Sequence, residues 1–169
     1  AAAAPGLDGP LYEAHSTDYQ SPQALRQLVE DHFAILKVGP ALTFAFREAV
    51  FALAWMEQEW LGRLPGAQIS RLPDVLDEAM RLDPRYWRVY YQGDERQVGF
   101  SRRYSLSDRI RYYWSAPQVQ SALSLLFSNL QAHPVPPTLL SQFMPVQYAR
   151  VQRRELSLDP ADWVDDAVQ

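Results

Sequence analysis

Eight consecutive residues without a polar side chain, Ala49 to Met56, sit inside the stretch HFAILKVGPALTFAFREAVFALAWMEQEWL, His32 to Leu61. An amphipathic helix presents one apolar stripe, so a helix carrying an unbroken run of this kind must be covered on more than one side. The run is no bilayer span, because Arg47, Glu48 and Glu57 flank it closely and a span needs about 20 apolar residues. Upstream, Phe33 to Val38 reads as a short strand buried on both faces, ended by Gly39-Pro40, with the long helix Ala41 to Leu61 following. That turn sets Lys37, the one lysine of the chain, at the carboxyl end of the strand. The amino-terminal turn of a helix lies just beyond, where unpaired backbone N–H groups favour an anion. Lys37 then either caps a carboxylate or lies at an interface, or it binds a sugar phosphate. A Schiff-base role would require a desolvated lysine.

Before this stretch, Ala1 to Pro10 reads as an alanine-rich segment closed by a turn, and Leu11 to Tyr19 as a first strand. Alternation assigns Glu13, His15 and Thr17 to one side and Ala14, Ser16 and Asp18 to the other. Ser21-Pro22 supplies an N-cap and a first-turn proline for a helix through Asp31, with Leu25, Leu28 and Val29 on one face. The order strand, helix, strand, helix is a βαβα unit, which builds a parallel sheet. Two parallel strands need neighbours and cover on both faces, so the sheet is expected to be completed by chain outside this sequence.

After Leu61 the strand signals stop. Residues 1–61 form the βαβα part and residues 62–169 an all-helical extension. Its expected helices are Pro73 to Leu82, one capped by Asp83-Pro84, Glu95 to Tyr104, one from Pro117, Pro145 to Glu155, and Pro160 to Val168 with Asp159 as cap. Ser107 and Asp108 are candidate caps for the segment Ser105 to Trp114, and Pro134, Pro136 and Pro137 mark a linker. No internal repeat is visible.

Function classes narrow by charge and chemistry. A net charge of −4 argues against a nucleic-acid partner, which demands a basic surface. The absence of cysteine excludes disulfides, thiolate catalysis and cysteine-type zinc sites. A cytoplasmic location fits, no signal peptide or membrane segment is visible, and a first residue other than methionine reads as a fragment. The patterns GxxxxGK[ST], GxGxxG, HExxH and GxSxG are all missing. His15, His32 and His133 lie far apart, so His15 and Asp18 belong either to a metal site with an unseen ligand or to a satisfied polar network. Arg109, Arg111, Tyr112, Tyr113 and Trp114 fall within six positions. They either recognise a phosphate or partner chain, or form an aromatic face on the core with arginines reaching outward.

The segments YEAHSTDYQ (Tyr12 to Gln20), DHFAILKVGPALTFAFREA (Asp31 to Ala49), SLSDRIRYYW (Ser105 to Trp114) and LLSQFMPVQYARVQ (Leu139 to Gln152) together resemble the non-catalytic Z subunit of class II tagatose-1,6-bisphosphate aldolase. The resemblance implies an α/β fold, the carboxyl-terminal part of a TIM (β/α)8 barrel comprising its last two strand–helix units, followed by the helical extension. It implies an accessory subunit that stabilises and activates a zinc-dependent catalytic subunit in galactitol or N-acetylgalactosamine catabolism. No catalytic residue, metal or cofactor is then expected in this chain, and the zinc belongs to the partner. Some members of the family carry the label tagatose-6-phosphate kinase, and under that alternative His15, Asp18, Lys37 and Arg109 are the candidate ligand-binding residues. Phe51 and Trp55 on the apolar helix are the candidate partner contacts, and a homo-oligomer is the further association left open.

Overall fold

The computed structural model describes residues 11–169, which belong to two compact units dividing between Ala41 and Leu42. The alanine-rich segment Ala1 to Pro10 lies outside the described residues. The division falls one helix earlier than the boundary drawn at residue 61 from the sequence, because the long apolar helix shares its core with the helices after it.

In the first unit, β1 (Tyr12–Ala14), α1 (Pro22–Glu30) and β2 (Phe33–Leu36) follow one another, and the two strands pair in parallel. The Ser21 hydroxyl accepts from the Ala24 N–H at 3.1 Å and Pro22 occupies the first turn, so α1 begins as its sequence requires. Both strands are shorter than the sequence suggests. β1 stops at Ala14, since Ser16 turns into the left-handed region with φ of 56° and ends the alternation. The backbone still zips past both strand ends, through Lys37 N–H to Ala14 O at 2.8 Å and Thr17 N–H to Lys37 O at 3.1 Å. Burial differs too: Ile35 is exposed within β2, and Val29 is exposed while Leu25 and Leu28 are half-buried. A parallel strand buried on both faces needs cover on each, and among the described residues β2 has one strand neighbour.

The second unit is helical: α2 (Ala41–Leu61), α3 (Leu72–Leu82), α4 (Glu95–Tyr104), α5 (Pro117–Ala132), α6 (Pro137–Phe143), α7 (Pro145–Gln152) and α8 (Pro160–Val168). Val50, Phe51, Leu53, Ala54 and Met56 are all buried and spread over more of α2 than one stripe, while Trp55 on the remaining side is exposed. They join Leu72, Leu76 and Met80 of α3, Leu126 and Leu130 of α5 and Trp163 of α8 in one core. α3 lies against α4 and α5, and α5 against α8.

Local signals fix the helix starts. Asp94 and Gln97 close a capping box on α4, each side chain bonded to the other's backbone N–H at 2.8 and 2.9 Å. Asp159 caps α8. Three expectations change. Pro137 opens α6 inside the stretch expected as a linker. Asp83-Pro84 starts only the 3-10 turn Pro84–Tyr86. The segment Ser105 to Trp114 forms the 3-10 turn Arg109–Tyr112, and Asp108 before it, with φ of 45°, makes no side-chain cap because its carboxylate is engaged in the core.

Candidate functional site

At the carboxyl end of the two strands, Glu13 accepts through one oxygen from His15 Nε2 and from Lys37 Nζ, each at 2.5 Å. The alternation of β1 puts Glu13 and His15 on one side, and the parallel register brings Lys37 to them one residue past β2. His15 and Lys37 are both largely exposed. A lysine paired with a carboxylate and open to water lacks the desolvation that makes a nucleophilic amine, so the geometry matches the reading in which Lys37 caps a carboxylate.

Asp18 takes the place that an anionic ligand would occupy. Its carboxylate accepts from the Gly39 N–H at 2.6 and 2.7 Å and from the Ala41 N–H at 3.1 Å. These are the free N–H groups expected at the start of the long helix, and they are satisfied from within the chain. A Cβ at Gly39 would lie 3.1 Å from the Asp18 Oδ2, so a larger residue there would press on the carboxylate. Thr17 is buried beside this loop and its hydroxyl donates to Lys37 O at 3.1 Å. A depression of about 390 Å³ opens between the loop and α1, lined by His15, Ser16, Thr17, Gln20, Ala24 and Gln27 among others. Among the described residues no three His, Asp or Glu side chains converge as a metal site would need. His15 and Asp18 are held by different partners, Glu13 and the Gly39 N–H.

Arg109 belongs to the other unit. Its guanidinium lies 3.3 Å from the centre of the Tyr90 ring and donates to Tyr86 O at 3.4 Å. Tyr86 stacks on Tyr112 with centroids 4.7 Å apart, and Arg111 lies over the same Tyr112. Behind them Tyr113 and Ile110 are buried, so the aromatic segment divides between a core-facing side and an outer one. The Tyr113 hydroxyl donates to the Asp83 carbonyl. Burial pushes its pKa up to about 12, with the Asp83 carboxylate acting in the same sense. A side-chain hydrogen bond from Arg85 holds the Asp83 carboxyl below its usual range.

The two candidate partner contacts separate. Phe51 is 3 % exposed and meets Tyr104 edge-on at 6.1 Å, so it is a core residue and offers no surface to another chain. Trp55, 41 % exposed, remains on the surface of α2 beside Ala54, Gln58 and Ile69.

Two buried carboxylates take roles that the sequence reading did not assign them. Glu57 is 1 % exposed and accepts from the Ser70 N–H at 3.0 and 3.1 Å, the Ser70 hydroxyl at 2.5 Å and Asn129 Nδ2 at 2.6 Å. It ties α2 to the loop before α3 and to α5. Asp108 accepts from Arg47 Nε at 3.0 Å and from the Thr43 hydroxyl at 2.7 Å. Arg47 and Glu57 flank the apolar run, and a charge at the edge of a helix that must be covered on several sides is the signal that could have marked both.

These elements define an α/β protein in which a parallel βαβα start leads into a helical unit. The description "D-tagatose-1,6-bisphosphate aldolase subunit GatZ/KbaZ-like" belongs to the family model that matches residues 5–169. A solved structure described as a probable tagatose 6 phosphate kinase from Sinorhizobium meliloti 1021 superposes with a TM-score of 0.85 at 43% identity. The match covers 96% of this chain and 41% of that one, so the chain spans about two fifths of that protein's length. The chain belongs to the GatZ/KbaZ-like family.

Proposed function

We propose that this chain is part of a non-catalytic accessory subunit that stabilises and fully activates the class II tagatose-1,6-bisphosphate aldolase catalytic subunit. The observation that carries the reading, beyond family membership, is the self-occupied anion seat: Asp18 takes the Gly39 and Ala41 N–H groups and Glu13 takes both Lys37 and His15. A subunit whose likeness to an enzyme mouth is filled by its own carboxylates suits a structural role. In this reading β1, α1, β2 and α2 are the last two strand–helix units of a (β/α)8 barrel, and further parallel strands cover Ile35 and pair the open sheet edges. Zinc is the catalytic partner's cofactor, the setting is cytoplasmic, and the pathway is galactitol or N-acetylgalactosamine catabolism. Among the described residues no helix is long and apolar enough to cross a membrane.

The test measures aldolase activity on tagatose 1,6-bisphosphate and the melting temperature of the catalytic subunit, with and without the full-length protein. Both should rise on addition, and the full-length protein alone should cleave nothing. No change in either quantity refutes the reading.

The description of the Sinorhizobium meliloti chain as a tagatose 6 phosphate kinase favours a second reading, a sugar-phosphate enzyme in which His15, Asp18 and Lys37 line the binding mouth. It requires Asp18 to release its N–H groups to the ligand. Calorimetry with tagatose 6-phosphate and an ADP-release assay with ATP test it; no heat and no ADP from a folded full-length protein would remove it.

A further inference from the structure

We propose that the outer face formed by Arg85, Tyr86, Tyr90, Arg109, Arg111 and Tyr112 is a docking surface for a carboxylate-rich face of a different protein chain. The face is built from two segments that the fold locks together. Tyr113 donates to Asp83 O, Tyr91 and Ser107 share a hydrogen bond at 3.1 Å, and the Arg109 N–H donates to the Tyr91 hydroxyl at 3.3 Å. On that base Tyr86 stacks on Tyr112, and Arg85, Arg109 and Arg111 lie over Tyr86, Tyr90 and Tyr112 respectively. Tyr90 is 57 % and Tyr112 41 % exposed, and neighbouring Val89 is exposed as well.

Charge selects the occupant. Asp83, though partly exposed, is paired with Arg85, and Asp108 is buried against Arg47, so neither carboxylate balances Arg109 or Arg111. Arg109 and Arg111 bond backbone carbonyls and tyrosine groups, and Arg88, exposed between Tyr86 and Tyr90 in the chain, makes no ion pair among the described residues. Arg109 and Arg111 thus bring positive charge to this face without an ion-pair partner among the described residues, in a chain whose net charge is −4. Tyrosine and arginine are the residue types that dominate interface energies. Here their rings and guanidinium planes already hold one another in place, so little side-chain freedom is lost on binding. A two-fold dimer through this face would set arginines against arginines, which argues against a second copy. A nucleic acid would need an extended basic surface that an acidic chain does not offer.

The partner's identity rests on the accessory-subunit reading. The test is sedimentation and calorimetric titration of the full-length protein against the aldolase catalytic subunit, comparing wild type with Arg88→Glu, Tyr90→Ser and, outside the face, Arg63→Glu, each checked for an unchanged melting curve. Arg88→Glu and Tyr90→Ser should each weaken the complex by about tenfold while Arg63→Glu leaves it intact, and sodium chloride should weaken the wild-type complex. Equal affinity of all variants overturns this inference and leaves the accessory-subunit reading standing. The same follows if Arg63→Glu weakens binding as much as Arg88→Glu, or if Arg88→Glu alters self-association instead. Absence of any wild-type complex overturns both.

Discussion

Replacing Asp108 with alanine removes the carboxylate that meets the buried Arg47 guanidinium in the helical unit. Arg47 and Asp108 side chains are 3 % and 0 % exposed, and the carboxylate is shared between Arg47 Nε and the Thr43 hydroxyl. With it gone, Arg47 stays buried over the Phe44 ring at 4.3 Å, and its charge has neither water nor a counter-ion. Breaking such a pair from one side costs about 3–5 kcal/mol, because the remaining charge is left uncompensated. For a chain of this length that is a fall in melting temperature of about 10 °C. Urea unfolding followed by circular dichroism measures it. Asp108 also sits at φ 45°, where Asn is better tolerated than Ala, so Asp108→Asn separates loss of charge from backbone cost and should be the milder change. The double variant Arg47→Met with Asp108→Asn should recover most of the loss, since it removes both charges. A cost for Asp108→Ala below about 1 kcal/mol, the range of exposed ion pairs, would refute the reasoning, as would a double variant equal to the sum of the singles.

Three further outcomes are expected. Asp18→Ala should cost about 1 kcal/mol locally and free the Gly39 and Ala41 N–H groups; inorganic phosphate should then raise the melting temperature of the variant more than that of wild type, and equal shifts would contradict the self-occupied seat. Glu57→Ala should cost about 2–3 kcal/mol by leaving the buried Ser70 N–H without its acceptor and the Asn129 amide with the Gln68 carbonyl alone, with faster hydrogen exchange at Ser70 as the local sign. Tyr113 has its folded pKa raised from 10.0 to about 12, so the stability it contributes is fully present below pH 10 and is lost as pH rises through about 12; Tyr113→Phe should show a flatter fall of urea midpoint across that window.

Much of the fold is written locally. Ser21-Pro22, Asp94 with Gln97, and Asp159-Pro160 carry their helix starts in their own side chains, which need only neighbours three residues away to form a cap. The run Ala49 to Met56 demands cover on several sides whatever surrounds it, and the order of elements demands parallel pairing. Tertiary structure decided the rest, because each remaining outcome depends on which distant group arrives first. Asp108 looks like a cap from its neighbours, and the approach of Arg47 makes it a buried counter-ion. Phe51 and Trp55 are one helical turn apart and equally apolar, yet the packing of α4 buries the first and leaves the second outside. Lys37 and the N–H groups beyond it invite an anion in the sequence, and only the folded chain shows that Glu13 and Asp18 are already there. Periodicity and capping act over one or two turns and are legible in order, whereas the pairing of buried charges is set by proximity in space, which sequence spacing does not encode.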